Sequence, residues 1–222
     1  LEKALEAFQK KNYPLALVLF EELIRKEPEE PGHLYHFALS CFHTGNFKKC
    51  VRILEDLLER FPRFIELDRV YKVIIYSRIQ LKEWDQAKRL IETRLGIHPN
   101  DPSLQSMLAH IYEKNHDLDK AIQIHREILA KHPGFKTSLN NLAVLLISRE
   151  TASPQEIQEA LEYIRDLLKI DPDNPVYLDS FGTVLEKLGN HASAKKALEK
   201  ALLLAPQKTE ILNHLTRLVN HS

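Results

Sequence analysis

Histidine is the side chain best suited to proton transfer or metal ligation near neutral pH, and eleven occur in these 222 residues. His33, His36 and His43 recur at spacings of three and seven, which on a helix brings all three near one face. No Cys-x-x-Cys pair accompanies them, so they read as groove or surface polarity and no metal is assigned. Cys41 and Cys50 flank one turn and read as buried, reduced thiols packing as small hydrophobes. The carboxylate pairs Glu21-Glu22, Glu29-Glu30 and Glu55-Asp56 fall on outer faces or helix ends, where solvation and helix-end electrostatics account for them. A Gly-rich phosphate loop and a nucleophile elbow are both missing from the sequence. The expectation is a non-enzyme with no catalytic residue and no cofactor.

Charge and composition narrow the class further. Lys plus Arg and Asp plus Glu each number 31, so bulk charge does not drive nucleic-acid binding. No apolar run approaches the roughly 18 residues of a membrane span, and two cysteines are too few to staple a chain of this size. Six glycines and 8% aromatics leave little for tight hairpins or β-rich packing, so the composition leans helical.

The elements that position these residues repeat. Pro28, Pro62, Pro99, Pro133, Pro172 and Pro206 are spaced by 34, 37, 34, 39 and 34 residues, a common period with insertions of three and five. Twelve residues before these prolines stand Ala16, Cys50, Ala87, Ala121, Ala160 and Ala194, as expected where two helices cross too closely for a larger side chain. The facing contacts are predicted at Ala38, Ile75, Ala109, Ala143, Gly182 and Thr216.

Between the markers the apolar residues keep helical spacing, as in Leu178, Phe181, Leu185 and Leu188. Gly45-Asn46 and Gly189-Asn190 mark turns in which glycine closes a helix in the left-handed conformation. Asn100-Asp101-Pro102 and Asp173-Asn174-Pro175 mark helix starts. Helices are predicted over 1–11, 14–27, 31–44, 47–60, 64–82, 84–96, 102–115, 118–131, 136–149, 154–169, 175–188, 191–204 and 208–220, with no strand. The longer insertion, 148–154, reads as an extended turn with Ser153 capping the helix begun by Pro154.

With Leu178, Phe181-Gly182, Leu185, Gly189-Asn190, Ala194, Leu198, Ala201 and Pro206 in the order of its large, small and proline positions, the chain resembles the tetratricopeptide repeat family. The resemblance covers essentially the whole length. It implies an all-α, right-handed superhelical solenoid of about six helix-turn-helix units whose first helices line a concave groove. The array 1–222 divides into units 1–28, 29–62, 63–99, 100–133, 134–172 and 173–206, with 208–220 as a capping helix. Gln105 and Arg94 depart from the pattern and mark looser repeats. Asn140-Asn141-Leu142-Ala143 and Asp179-Ser180-Phe181-Gly182 also look like tandem repeats of bacterial envelope and secretion-associated proteins. The compartment expected is a soluble one, the cytoplasm ahead of a bacterial periplasm or envelope. Leu1-Glu2-Lys3-Ala4 opens inside a helical pattern, which reads as a piece of a longer chain.

Residues seven, eleven, fourteen and fifteen after each marker proline are expected on the groove side. Those assigned to a peptide groove are Tyr35, Leu39, Phe42, His43, Arg69, Lys72, Tyr76, Ile79, His110 and Asn140. Aromatic and aliphatic groups flanked by cations suit a peptide or helix of a partner protein with apolar anchors and an acidic group. Family members that hold a terminal carboxylate use Lys and Asn four apart; here the corresponding pairs include Tyr35/Leu39, Lys72/Tyr76 and Asn140/Val144, so that role is disfavoured. The function expected is a protein-interaction scaffold. The alternatives are a substrate-recruiting or regulatory domain of a larger enzyme and a self-association module.

Overall fold

The computed structural model describes residues 1–220. Among these residues the regular elements are helices: α1 (Glu2–Gln9), α2 (Tyr13–Lys26), α3 (Pro31–His43), α4 (Phe47–Arg60), α5 (Leu67–Gln80), α6 (Trp84–Ile97), α7 (Pro102–Lys114), α8 (Leu118–Lys131), α9 (Lys136–Ser148), α10 (Pro154–Ile170), α11 (Pro175–Lys187), α12 (His191–Leu204) and α13 (Thr209–Asn220). No described residue lies in a strand, and no described helix is long and apolar enough to cross a membrane. The chain divides into two compact units, the first ending at Met107 and the second starting at Leu108, with the division inside α7.

In the first unit each helix from α1 to α6 packs on the next, and α3 also touches α5. From α8 to α13 the second unit repeats the arrangement, with α9 against α11 and α11 against α13. First helices of successive repeats therefore lie side by side, and second helices fill the other face.

The hairpin turns show why the chain folds back at regular intervals. At five of them the residue in the left-handed region is Lys11, Gly45, Lys82, His116 or Gly189, with φ of 59, 76, 60, 62 and 75°. The N–H of the next residue then reaches back to a carbonyl five residues earlier, as in Asn46 to Cys41 at 2.8 Å and Asn190 to Leu185 at 2.9 Å. That bond closes one helix, and the same residue caps the following one. The side-chain oxygens of Asn12, Asn46, Asp117 and Asn190 accept the N–H groups of Leu15, Lys49, Lys120 and Ser193 at 3.2–3.3 Å. Glycine at two of these positions was legible in the sequence, whereas Lys11, Lys82 and His116 carry the same conformation against the Cβ penalty. The α9–α10 connection departs from the motif. Arg149 is extended, and Ser153 and Glu156 form a reciprocal capping box at 3.2 and 2.8 Å.

The small-residue register is met in the packing. Ala16, Cys50, Ala87, Ala121, Ala160 and Ala194 are all wholly buried, as are Ala38, Ala109 and Ala143 opposite them. Gly182 sits so close to the next helix that a Cβ would lie 2.6 Å from Leu198 Cγ. Thr216 corrects the expectation: it is exposed, because no described second helix follows α13 to cross it. A second correction concerns α5, which begins at Leu67 and not at residue 64. The three-residue insertion is spent on a turn in which the Phe64 N–H bonds the Phe61 carbonyl at 3.0 Å, turning Ile65 out to solvent. The two departures from the repeat pattern find partners of their own. Arg94 lies 4.4 Å over the Tyr71 ring and pairs with Asp68, and the Gln105 amide donates to the Pro99 carbonyl at 2.9 Å.

Candidate functional site

Aromatic rings crowd the first unit. Twelve of the 17 Phe, Tyr and Trp residues precede position 108, more than its core consumes. Phe8, Phe20, Tyr35, Phe42 and the imidazoles of His36 and His43 form a continuous series of contacts along α1, α2 and α3. Phe20 stacks on His36 with centroids 5.3 Å apart, Phe8 meets His36 and His43 edge-on at 5.5 and 5.9 Å, and Tyr13 stacks on His43 at 4.2 Å. The series continues through Phe42, which lies 5.2 Å from Tyr76 on α5 and 5.8 Å from Phe47 on α4. Each contact adds roughly 0.5–1.5 kcal/mol beyond area burial, so the row is pinned as well as apolar.

Its outer edge is open. Tyr76 is 41% exposed, His43 is exposed, and Leu39 and Phe42 are half-buried against the core of the first unit. Desolvation by its ring neighbours lowers the pKa of His43, which favours a neutral imidazole. The surface thus offers neutral aromatic and aliphatic groups held in fixed positions.

Several residues assigned to the groove from sequence lie elsewhere. Tyr35 is 7% exposed because Phe64, carried by the insertion, covers it at 5.3 Å; burial also raises its phenol pKa. Ile79 is 4% exposed and belongs to the core. Arg69 is exposed but pairs with Glu66 at 3.2 Å, and Lys72 is taken by Asp101 at 2.6 Å. Burial alone would raise the Asp101 pKa, but Lys72 and the Ser103 and Leu104 N–H groups outweigh it and hold the carboxyl low. The cations expected beside the rings are therefore already paired.

His110 and Asn140 lie in the second unit, where polar groups bond one another. The His110 bond at 3.2 Å, helped by Lys114 at 3.1 Å, brings the Glu113 carboxyl down to about 2. Asn140 is buried and accepts the Ser180 hydroxyl at 2.9 Å, so it is spent on structure. His125, also buried, bonds Ser138 at 3.0 Å, and desolvation pushes its pKa down to about 4. His214 is drawn the other way by its 2.8 Å bond to Asp179.

Phe8, Tyr13 and Phe47 join the row without having been selected from sequence. A signal for two of them was there: fifteen residues before successive marker prolines stand Tyr13, Phe47 and Trp84, then Leu118, Ile157 and His191. That position is the first residue of each second helix except α10, where it falls in the first turn, and it holds Phe, Tyr or Trp only in the first unit. The chemistry weighed for the histidines is not assembled. His36 bonds the Gly32 carbonyl at 2.8 Å, His33 is buried, and among the described residues no group of three or more His, Cys, Asp or Glu side chains is placed to hold a metal. Cys41 and Cys50 are free and buried. Burial raises both thiols, Cys50 to about 11, so neither is a ready thiolate.

Two tetratricopeptide repeat family models match the chain, over residues 106–175 and 177–208. A TPR repeat-containing protein of Pseudomonas aeruginosa is 31% identical over 131 residues, which are 59% of this chain and 21% of that protein. Interferon-induced protein with tetratricopeptide repeats 2 of Cricetulus griseus is 27% identical over 116 residues, 52% of this chain and 25% of that one. Among solved structures, a chain of the APC/C hetero-tetramer Cut9-Hcn1 superposes with a TM-score of 0.75 at 15% identity, covering 97% of this chain and 41% of that chain. That identity carries the fold alone. The family models place tetratricopeptide repeats at residues 106–175 and 177–208, and the helical hairpins and the relatives agree with them; that fold generally serves as a protein–protein interaction scaffold. It spans about a fifth to a quarter of the length of these two curated relatives.

Proposed function

We propose that the chain is a non-catalytic scaffold whose first unit holds a peptide or helix of a partner protein against the ring row of α1, α3 and α5. The observation that carries this reading is the open edge formed by Phe42, His43 and Tyr76, where rigid rings lie partly exposed beside Leu39. Aromatic groups with few rotatable bonds lose little entropy on binding and dominate interface energetics. Because Lys72 and Arg69 are already neutralised, the partner's anchors at this edge are apolar, not acidic.

Selection from a random peptide library on the purified chain tests the reading. Recovered peptides should carry aromatic or large aliphatic residues at helical or alternate spacing. Tyr76→Ala, which removes a partly exposed ring, should weaken their binding about tenfold, by the loss of roughly 1.4 kcal/mol, with helicity unchanged. Peptides without apolar anchors, or binding indifferent to Tyr76→Ala, would contradict it.

A further inference from the structure

Elsewhere on the first unit, a cleft of about 470 Å³ opens between α4 and the α5–α6 turn, lined by Lys48, Lys49, Val51, Arg52, Arg78 and Leu81 among others. None of these residues belongs to the ring row, so the cleft can be altered without touching the groove. The cleft has an apolar floor, with Val51 buried and Leu81 packed on the core. Its wall is fixed by Arg78, whose guanidinium is only 17% exposed and donates to Glu83 at 2.8 Å and to Glu55 and Gln86.

The charge at the mouth is not balanced in the same way. Lys49 lies 3.7 Å from Glu21 with its ammonium 4.5 Å over the Phe37 ring. Lys48 and Arg52 are exposed, one helical turn apart on α4, and neither has a carboxylate within ion-pair distance among the described residues. Most other cations of the unit are paired, including Lys10, Lys26, Arg60, Arg69, Lys72, Arg78 and Arg94. Two exposed cations without an ion pair over an aliphatic floor thus give the cleft mouth a local surplus of positive charge.

We propose that this cleft docks an acidic segment of a partner protein, with carboxylates meeting Lys48 and Arg52 and an aliphatic side chain on Val51 and Leu81. Neighbours four apart on a helix present Cβ atoms about 5–6 Å apart, a separation that two carboxylates of one short segment can match. Glu55 and Glu83 in the walls disfavour the denser charge of a phosphate backbone. The aliphatic floor has no use for a sugar. The complementarity sets specificity and association rate, so binding should weaken with salt.

The test uses the whole chain and a blocked peptide, acetyl-Glu-Glu-Leu-Glu-Glu-amide, followed by methyl NMR. The expected result is saturable shifts of the Val51 and Leu81 methyls. Lys48→Glu combined with Arg52→Glu should weaken binding at least tenfold, and the all-Gln version of the peptide should not bind. Lys195→Glu with Lys196→Glu on α12 should bind as the parent does. Both altered cleft residues are exposed, so unchanged helicity is expected and is checked by circular dichroism. No binding to the parent, equal binding to the charge-reversed variant, or shifts outside the cleft would overturn the proposal. So would tighter binding of a thymidine oligonucleotide at the same methyls.

Discussion

The two units share one helical register and fill it with different chemistry. In the first, rings stack on rings and on imidazoles, as Phe20 does on His36 and Tyr13 on His43. In the second, the core is largely aliphatic and alanine-lined, and four buried polar residues bond in pairs: His125 with Ser138 and Asn140 with Ser180. Phe20 is wholly covered by the two layers of helices, but Phe42 and Tyr76 are not, so the first unit keeps aromatic surface at its edge. The second unit also leaves aliphatic side chains such as Ile170 and Leu203 exposed, but its core holds buried hydrogen bonds that depend on protonation. One register therefore yields a unit rich in packed rings and a unit whose buried histidine makes it sensitive to acid.

The largest effect expected on that contrast is from Phe20→Ala, which removes a wholly buried ring and its stacking partner for His36. A loss of about 3–5 kcal/mol is predicted, measured by denaturant unfolding, and it should disturb the first unit's ring resonances before those of the second. A much smaller loss would mean that the rings are not what holds the first unit together.

Acid should act on the second unit. Burial places His125 at about 4 in the folded chain against roughly 6.5 unfolded, so between these values the unfolded chain binds more protons. Stability from this group is full above about pH 6.5 and is lost as pH falls toward 4, on the order of 3 kcal/mol. His214 has the opposite sign: Asp179 raises its pKa, so its contribution is present in acid and fades as pH rises through the folded value. Replacing His125 with Leu and Ser138 with Ala should flatten the acid limb of stability against pH. An unchanged limb would move the effect to other groups.

Ala121→Leu should cost about 1–3 kcal/mol by overpacking the α8 crossing, and an unaltered denaturation midpoint would show the register to be wrong. The smallest effect is a gain: His116→Gly relieves a left-handed φ of 62° and should raise stability by up to about 1 kcal/mol.

Fold and site differ in how far the sequence disclosed them. The prolines, the small residue twelve positions earlier and the Gly-Asn turns place nearly every helix, because those features are local and repeat. The register also gives the direction in which Tyr35, Ile79 and Asn140 point, but not what covers them. Phe64 over Tyr35, Asp101 on Lys72 and Ser180 on Asn140 come from 29 to 40 residues along the chain, beyond the reach of a helical offset. Lys82 and His116 are not visible in the sequence because the backbone bonds of the hairpin turn hold a conformation that their side chains do not announce.

The most direct measurement is fluorine NMR on the chain labelled with 3-fluorotyrosine and titrated with a library-selected apolar peptide. Shifts are expected at Tyr13 and Tyr76, with Tyr163 and Tyr177 unmoved. Shifts centred on the second unit's tyrosines, or none at Tyr76 at saturation, would contradict the assignment of partner binding to the ring row.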